Sequence, residues 1–215
     1  MTAQSRSEVF QDIAEAAERL METADRSGHR QIIGIVGAPG TGKSTVAQLV
    51  AQRLGADAVV VPMDGFHLAN TLLEGTPLRE RKGAIDTFDI GGYLSLLRRL
   101  RSRDEPVVYA PTYVRGLEEP IAASIAIPQG TRVVITEGNY LLVDDAPWSA
   151  LRALLDETWF VDTPQDVRLA RLIERHVASG MDRATATAWA NGPDERNATL
   201  VNSTRHRVDR TIRWD

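Results

Sequence analysis

Gly37-Ala38-Pro39-Gly40-Thr41-Gly42-Lys43-Ser44 fits the pattern G-x-x-x-x-G-K-[ST]. It stands directly between a short apolar run, Gln31 to Val36, and a segment that carries Val46, Val50 and Leu54 on one helical stripe. Strand, glycine-rich loop and helix in that order build an anion cradle. The glycines let successive backbone amides turn inward, and the helix that follows adds its unpaired N-terminal donors and the positive end of its dipole. In a chain of this composition a chance match to the pattern is expected about once in a thousand. Lys43 is then placed to reach the β- and γ-phosphates of a nucleotide, Ser44 to offer its hydroxyl to Mg²⁺, and Thr45 to contact the α-phosphate.

Outward from this loop, the chain reads as one α/β unit. Gln31 to Val36 is rich in β-branched residues, as a strand buried on both faces should be. Further strand-like runs, Ala58 to Val61, Arg132 to Thr136 and Thr158 to Val161, are each separated by helical patterns. That alternation predicts a mainly parallel, doubly wound sheet flanked by helices. Helices are expected at Glu8 to Met21, with Phe10, Ile13, Ala17 and Leu20 inward, at Tyr93 to Leu100, at Trp148 to Leu155 and at Gln165 to Ala178. The last begins on a Thr163-x-x-Asp166 capping pattern, with Pro164 in the first helical position. Between Glu105 and Gly130 the pieces Val107 to Ala110 and Ile121 to Ile127 read as a hairpin or lobe beside the sheet, and Asn191-Gly192-Pro193 breaks the C-terminal region into two helices.

Composition narrows the function classes. The 215 residues carry 25 Lys+Arg against 29 Asp+Glu, a net charge of -4, which argues against a dedicated nucleic-acid binder. There is no cysteine, so thiolate nucleophiles and Cys-ligated zinc are excluded. No run approaches the roughly 18 apolar residues of a membrane span, and the start lacks a secretory signal, so a cytoplasmic location away from membranes is expected. A homodimer is the default expectation for assembly, dimers being the commonest closed form.

A phosphate loop alone serves ATPases, switches and kinases, so the acceptor side must discriminate. Asp64 follows the run Ala58 to Pro62, at the carboxyl edge of the expected second strand, where ligands of open α/β sheets bind. A carboxylate there can accept the proton of an attacking hydroxyl, whereas it would repel an acceptor that is itself a phosphate. Glu137 ends the strand Arg132 to Thr136 in the same way and fits a role in holding Mg²⁺ or orienting the loop. Arg168, Arg171 and Arg175 project from one helical face within about 60° of one another. Either that face is solvated, or it is a lid whose guanidiniums close over a transferring phosphoryl group.

Val61-Pro62-Met63-Asp64-Gly65-Phe66-His67, Thr136-Glu137-Gly138-Asn139-Tyr140 and the stretch Arg168 to His176 resemble the base-bearing strand end, acidic strand end and lid helix of the P-loop kinase superfamily that contains uridine kinase, phosphoribulokinase, nicotinamide riboside kinase and bacterial pantothenate kinase. The stretches Arg81 to Asp89 and Ala110 to Arg115 look most like a bacterial branch labelled fructose transport system kinase or pantothenate-kinase-like. The resemblance implies Asp64 as base, Lys43 and the three lid arginines as phosphate ligands, and Arg81, Lys82, Tyr113 and Arg115 as holders of the acceptor. His67 and Asn139 are further candidates on the acceptor side. The lid departs from the superfamily pattern at Leu172 and His176, where arginine and aspartate are usual. The uridine kinases' base-recognition histidine has no counterpart near Tyr113, which argues against uridine as acceptor.

The expectation is a single domain, residues 1–215, with an acceptor-side lobe at about 64–130 and a lid at about 165–207. Its ATP site is Gly37 to Thr45, its metal Mg²⁺ on Ser44 and Glu137, and its acceptor a small hydroxyl compound: a sugar, a pantothenate-like acid or a nucleoside. Adenine recognition is expected at the far end of the lid and the segment Val208 to Trp214. Two rivals remain, a nucleotide-monophosphate kinase and an ATP-gated regulatory module. A GTPase is disfavoured by the lack of an Asn-Lys-x-Asp sequence.

Overall fold

Gln31–Val36 (β1) is buried along its whole length, and so is Val133–Gly138 (β5), because both sit in the middle of a parallel sheet covered on each face. The computed structural model describes residues 3–214, with side chains from residue 11 onward. The sheet also contains Ala58–Pro62 (β2), Glu157–Asp162 (β6) and Arg210–Arg213 (β7), in the order β2-β5-β1-β6-β7, with every pairing parallel. From β1 the chain crosses to the β2 edge, returns to β5, and then steps past β1 to β6. The reversal therefore falls at β1, and the phosphate loop leaves its carboxyl end, at the switch point where such sheets bind ligands.

Helices cover both faces. Ala3–Ser27 (α1) and Lys43–Leu54 (α2) pack on one, where Ile13, Ala17 and Leu20 meet Val46, Val50, Ile33 and Ile35. The placement of the Phe10 side chain lies outside the described residues. On the other face Ile90–Ser102 (α4) brings Tyr93, Leu96, Leu97 and Leu100 against Ile32, Val134 and Leu151. Asp89 starts α4 by accepting from the Gly92 amide at 2.8 Å. The one-turn helix Asn70–Leu73 (α3) lies before it. A long antiparallel hairpin, Val107–Val114 (β3) and Glu119–Pro128 (β4), stands apart from the main sheet as a two-stranded ribbon. Gln165–Ala178 (α5), Arg183–Asn191 (α6) and Pro193–Ser203 (α7) follow β6. Among the described residues no helix is long and apolar enough to cross a membrane.

Two local readings change. Trp148–Leu154 is a 3₁₀ segment rather than an α-helix. The Thr163 hydroxyl does not cap α5: it donates to the carbonyl oxygens of Thr41 and Trp214, tying the phosphate loop to the last strand. That last strand, β7, spans most of the segment Val208 to Trp214. It pairs with β6, and the Trp214 indole lies against Gly42 of the loop.

Arg30, just ahead of β1, is 2% exposed. Its guanidinium donates to Thr131 O (2.9 Å), Leu100 O (2.8 Å), Pro128 O (2.9 Å) and Gln129 O (3.0 Å), joining the foot of β1 to the end of α4 and the turn between β4 and β5. Burial, and then the charge of Arg103, pushes its pKa down to about 10. Arg30→Met would leave those carbonyls unpaired, and a loss of about 3–5 kcal/mol in unfolding free energy is expected from chemical denaturation. A change under about 1 kcal/mol would mean that the turn repacks around the missing donor.

Candidate active site

The carboxyl ends of β1, β2 and β5 open into a cavity of about 310 Å³. Its floor is the phosphate loop and the first turn of α2. Gly40 adopts a left-handed φ of +85°, and a Cβ there would come within 2.7 Å of the Arg168 carbonyl, so only glycine lets the loop turn under α5. The Lys43 ammonium donates back to Ala38 O at 3.2 Å, and the Thr41 hydroxyl to the same oxygen at 2.9 Å, so both side chains fold back onto the loop's own backbone. Thr45 is exposed on α2 and does not line the cavity.

At the end of β5, Glu137 is 5% exposed and accepts from the Ser44 hydroxyl at 2.8 Å. Burial, and then the nearby Asp64, raises the Glu137 pKa, while Lys43 opposes the rise. Lys43 is shifted the other way. Burial lowers its pKa, Glu137 and Asp64 raise it, and Arg175 and Arg115 lower it further. A buried carboxylate and a hydroxyl in contact, with the carboxylate disfavoured in its charged form, are an oxygen donor set that a hard divalent cation would suit and relieve.

β2 ends in the 3₁₀ turn Met63–Phe66, which carries Asp64 into the cavity wall. Gly65 packs so closely on the hairpin that a Cβ would lie 2.4 Å from Pro111 O, which explains the Asp-Gly pair as a contact requirement rather than a simple turn preference. His67 Nδ1 lies 2.7 Å from the Asp64 carbonyl. A carbonyl can only accept, so Nδ1 carries the proton, and in the neutral ring Nε2 is left as an acceptor. Burial lowers the His67 pKa, which favours that neutral form. The ring packs between Phe88 (4.1 Å between centroids) and Tyr113 (4.6 Å), tilted by 43° and 44° to them.

The hairpin tip supplies Tyr113 and Arg115. Tyr113 donates to Glu118 Oε2 at 2.8 Å, and Arg115 Nη2 reaches Asp64 Oδ2 at 3.4 Å. Lys82 also lines the wall, but its ammonium is held by Asn70 Oδ1 and Glu118 O, each at 2.7 Å. Asn139, just past β5, lines the cavity as well, and Tyr140 turns away from it to donate to Gly83 O at 2.7 Å.

The α5 arginines divide. Arg175 lines the cavity, partly buried, with its pKa lowered by burial and then by Arg115. Arg168 does not line it, contrary to the expectation that it faces the phosphates. It is 3% exposed, donates to Pro39 O at 3.3 Å and pairs with Glu195 of α7, so it braces the loop from behind. Arg171 is also outside the cavity wall, with its Nη1 buried and without a hydrogen-bond partner among the described residues. Arg81 is the other correction: it pairs with Asp86 on the outer surface, and Arg79 lines the cavity in its place. The wall contributed by α6 and α7, including Trp189, Asp194 and Asn197, carried no motif in the sequence. Asp194 accepts from His176 Nε2 at 2.7 Å, which pins α5 to α7.

The sequence profile of the phosphoribulokinase/uridine kinase family matches residues 32–188, from β1 through the cavity wall into α6. The chain belongs to this family. An ATP-dependent kinase-like protein of Aspergillus versicolor, notR', is 41% identical over 133 residues, 59% of this chain and 77% of its own length. A provisionally named uridine kinase of Schizosaccharomyces pombe is 35% identical over 161 residues, 71% of this chain and 68% of its own. The crystal structure of a protein from Silicibacter sp. TM1040, provisionally named a fructose transport system kinase, is similar with a TM-score of 0.84 at 38% identity, covering 94% of this chain and 98% of that one. This phosphoribulokinase/uridine kinase family member therefore has the fold and nucleotide loop of ATP-dependent P-loop kinases.

Proposed function

We propose that the protein transfers the γ-phosphoryl group of ATP to a hydroxyl of a small molecule, with Asp64 as the proton acceptor. The observation that carries this reading is the presence of Asp64 and Lys43 in the wall of one cavity, each close enough to perturb its surroundings electrostatically. Phosphoryl transfer asks the protein mainly for positioning and charge stabilisation, since little covalent chemistry is its own. The loop amides and Lys43 bind the β- and γ-oxygens, and Arg175 meets charge that spreads onto the transferring group. Ser44 and Glu137 would hold Mg²⁺, which when bound supplies charge neutralisation between the β- and γ-phosphates. Asp64 takes the hydroxyl proton as the oxygen attacks. Arg168 fixes the height of the loop through Pro39 and touches no substrate. Helices α5 to α7 form the lid, whose closure excludes water that would otherwise hydrolyse ATP.

An ADP-release assay against sugars, hydroxy acids, sugar phosphates, vitamins and nucleosides tests the reading. At least one hydroxyl compound is expected to raise ADP release well above the basal rate and to appear as a phosphomonoester. Slow hydrolysis that no such compound accelerates would favour a nucleotide-gated regulatory module. Acceleration by nucleoside monophosphates alone would favour a nucleotide-monophosphate kinase.

A further inference from the structure

The charged groups on the acceptor side of the cavity are not equally available. Lys82 is satisfied by Asn70 and Glu118 O, and its ammonium lies 4.0 Å from Glu119 Oε2, so it shapes the wall. Glu118 accepts from Tyr113 and from the Gly116 amide, and Asp194 is engaged by His176. Two guanidiniums differ from these. Arg79 is exposed at the cavity wall and makes no ion pair among the described residues. Arg115, half exposed, has a single contact, one Nη2 to Asp64 Oδ2 at 3.4 Å, at the long edge of hydrogen-bond range and not bidentate. Most of its donors are unused, and it sits on the approach to the oxygen that must take the acceptor's proton.

We infer that the acceptor carries an oxyanion, a carboxylate or a phosphate, besides the hydroxyl that reacts, and that this oxyanion draws Arg115 off Asp64 and onto itself, with Arg79 alongside. The inference rests on the kinase reading above and names its substrate class. A planar guanidinium with free donors matches a carboxylate or phosphate in a bidentate fashion, which a neutral hydroxyl cannot offer. The cavity's own balance points the same way. After burial, the charge of Arg115 is a further cause lowering the pKa of His67 and Arg175, so an anion beside it would relieve repulsion among the site's cations. The arrangement couples recognition to chemistry. A neutral polyol leaves Arg115 across the base, whereas an anionic acceptor clears it.

The test compares matched acceptors in the ADP-release assay: hydroxy acids against their primary amides, and sugar phosphates against the parent sugars, with the native protein and with Arg115→Gln and Arg115→Lys. The charged member of a pair is expected to have a kcat/KM about 10- to 100-fold above its neutral twin, the range of a charge-assisted hydrogen bond. Arg115→Gln should bring that ratio close to one, chiefly through KM for the anion, and Arg115→Lys should retain part of it. Activity with carboxylates only, or with phosphates only, identifies which oxyanion the site takes. Neutral twins turned over as well as charged ones, or an unchanged ratio in Arg115→Gln, would overturn this inference and leave the kinase reading standing. If no hydroxyl compound of either kind accelerates ADP release, the kinase reading falls and the inference with it.

Discussion

Asp64→Asn is expected to lower turnover by at least about 10²-fold while the affinity for ATP is retained, because general-base catalysis contributes about 10²- to 10⁴-fold and Asp64 lies on the acceptor side of the loop. The amide keeps the size of the carboxylate and can still accept one hydrogen bond, so the turn Met63–Phe66 and its packing against Pro111 should survive. What is lost is the ability to hold a proton. Two side effects separate this loss from a structural one. Asp64 is the second cause, after burial, of the raised Glu137 pKa, so removing its charge makes Glu137 easier to ionise and should not weaken metal binding. Arg115 loses its partner, so anions should bind at least as well as in the native protein. Turnover within about threefold of native would remove Asp64 as the base.

Lys43→Met should lower turnover by about 10²- to 10³-fold, the cost typical of deleting one donor to developing charge, and should also weaken ATP binding, because in the proposed reaction Lys43 meets phosphate oxygens before and during transfer. The pair of variants is thus distinguished by ATP affinity, kept in one and reduced in the other. Stability gives the control. The folded pKa of Lys43 lies below its unfolded value, with burial the largest cause. For a cationic group lowered in this way the unfolded chain binds the proton more tightly, so the charged lysine opposes folding at neutral pH. Stability recovers only as pH rises through the window from the folded pKa to 10.5. The methionine variant should therefore melt no lower than the native protein near pH 7. A large drop in melting temperature alongside the lost activity would show that Lys43 holds the loop together instead of acting on the nucleotide.

The features legible in the sequence were those whose chemistry is local. β1 and the loop after it combine a buried apolar run, glycines that a tight backbone needs, and a lysine and serine at fixed offsets. Asp64 and Glu137 were readable because each follows a β-branched run, and the carboxyl ends of parallel strands share one edge. The hairpin at 107–128 showed through its proline-bounded apolar pieces.

What was not legible depends on how elements face one another. Spacing places Arg168 and Arg175 on one side of α5, but they stand about two turns apart and meet different neighbours. Arg168 donates to Pro39 O and pairs with Glu195, while Arg175 lines the cavity. Neighbouring Arg81 and Lys82 diverge because the chain turns at the 3₁₀ segment Arg79–Arg81, sending one to Asp86 and the other to Asn70. Thr163 matches a capping pattern, yet two carbonyls from distant segments compete for its hydroxyl. Arg30 read as an ordinary charge before a strand. Its partners lie 70 to 101 residues away, and no local pattern could announce them. β7 was hidden for a related reason: Arg210–Arg213 is a short edge strand with a single buried residue, Ile212.

In the proposed reaction the acceptor's hydroxyl meets Asp64 on one side and the terminal phosphate on the other. A crystal structure with a non-hydrolysable ATP analogue and a turnover-stimulating acceptor measures this directly. An Asp64 carboxylate oxygen is expected about 2.6–3.2 Å from the acceptor's reactive oxygen, with that oxygen aimed at the γ-phosphorus. An acceptor bound with its hydroxyl away from Asp64, and Asp64 still tied to Arg115, would contradict it.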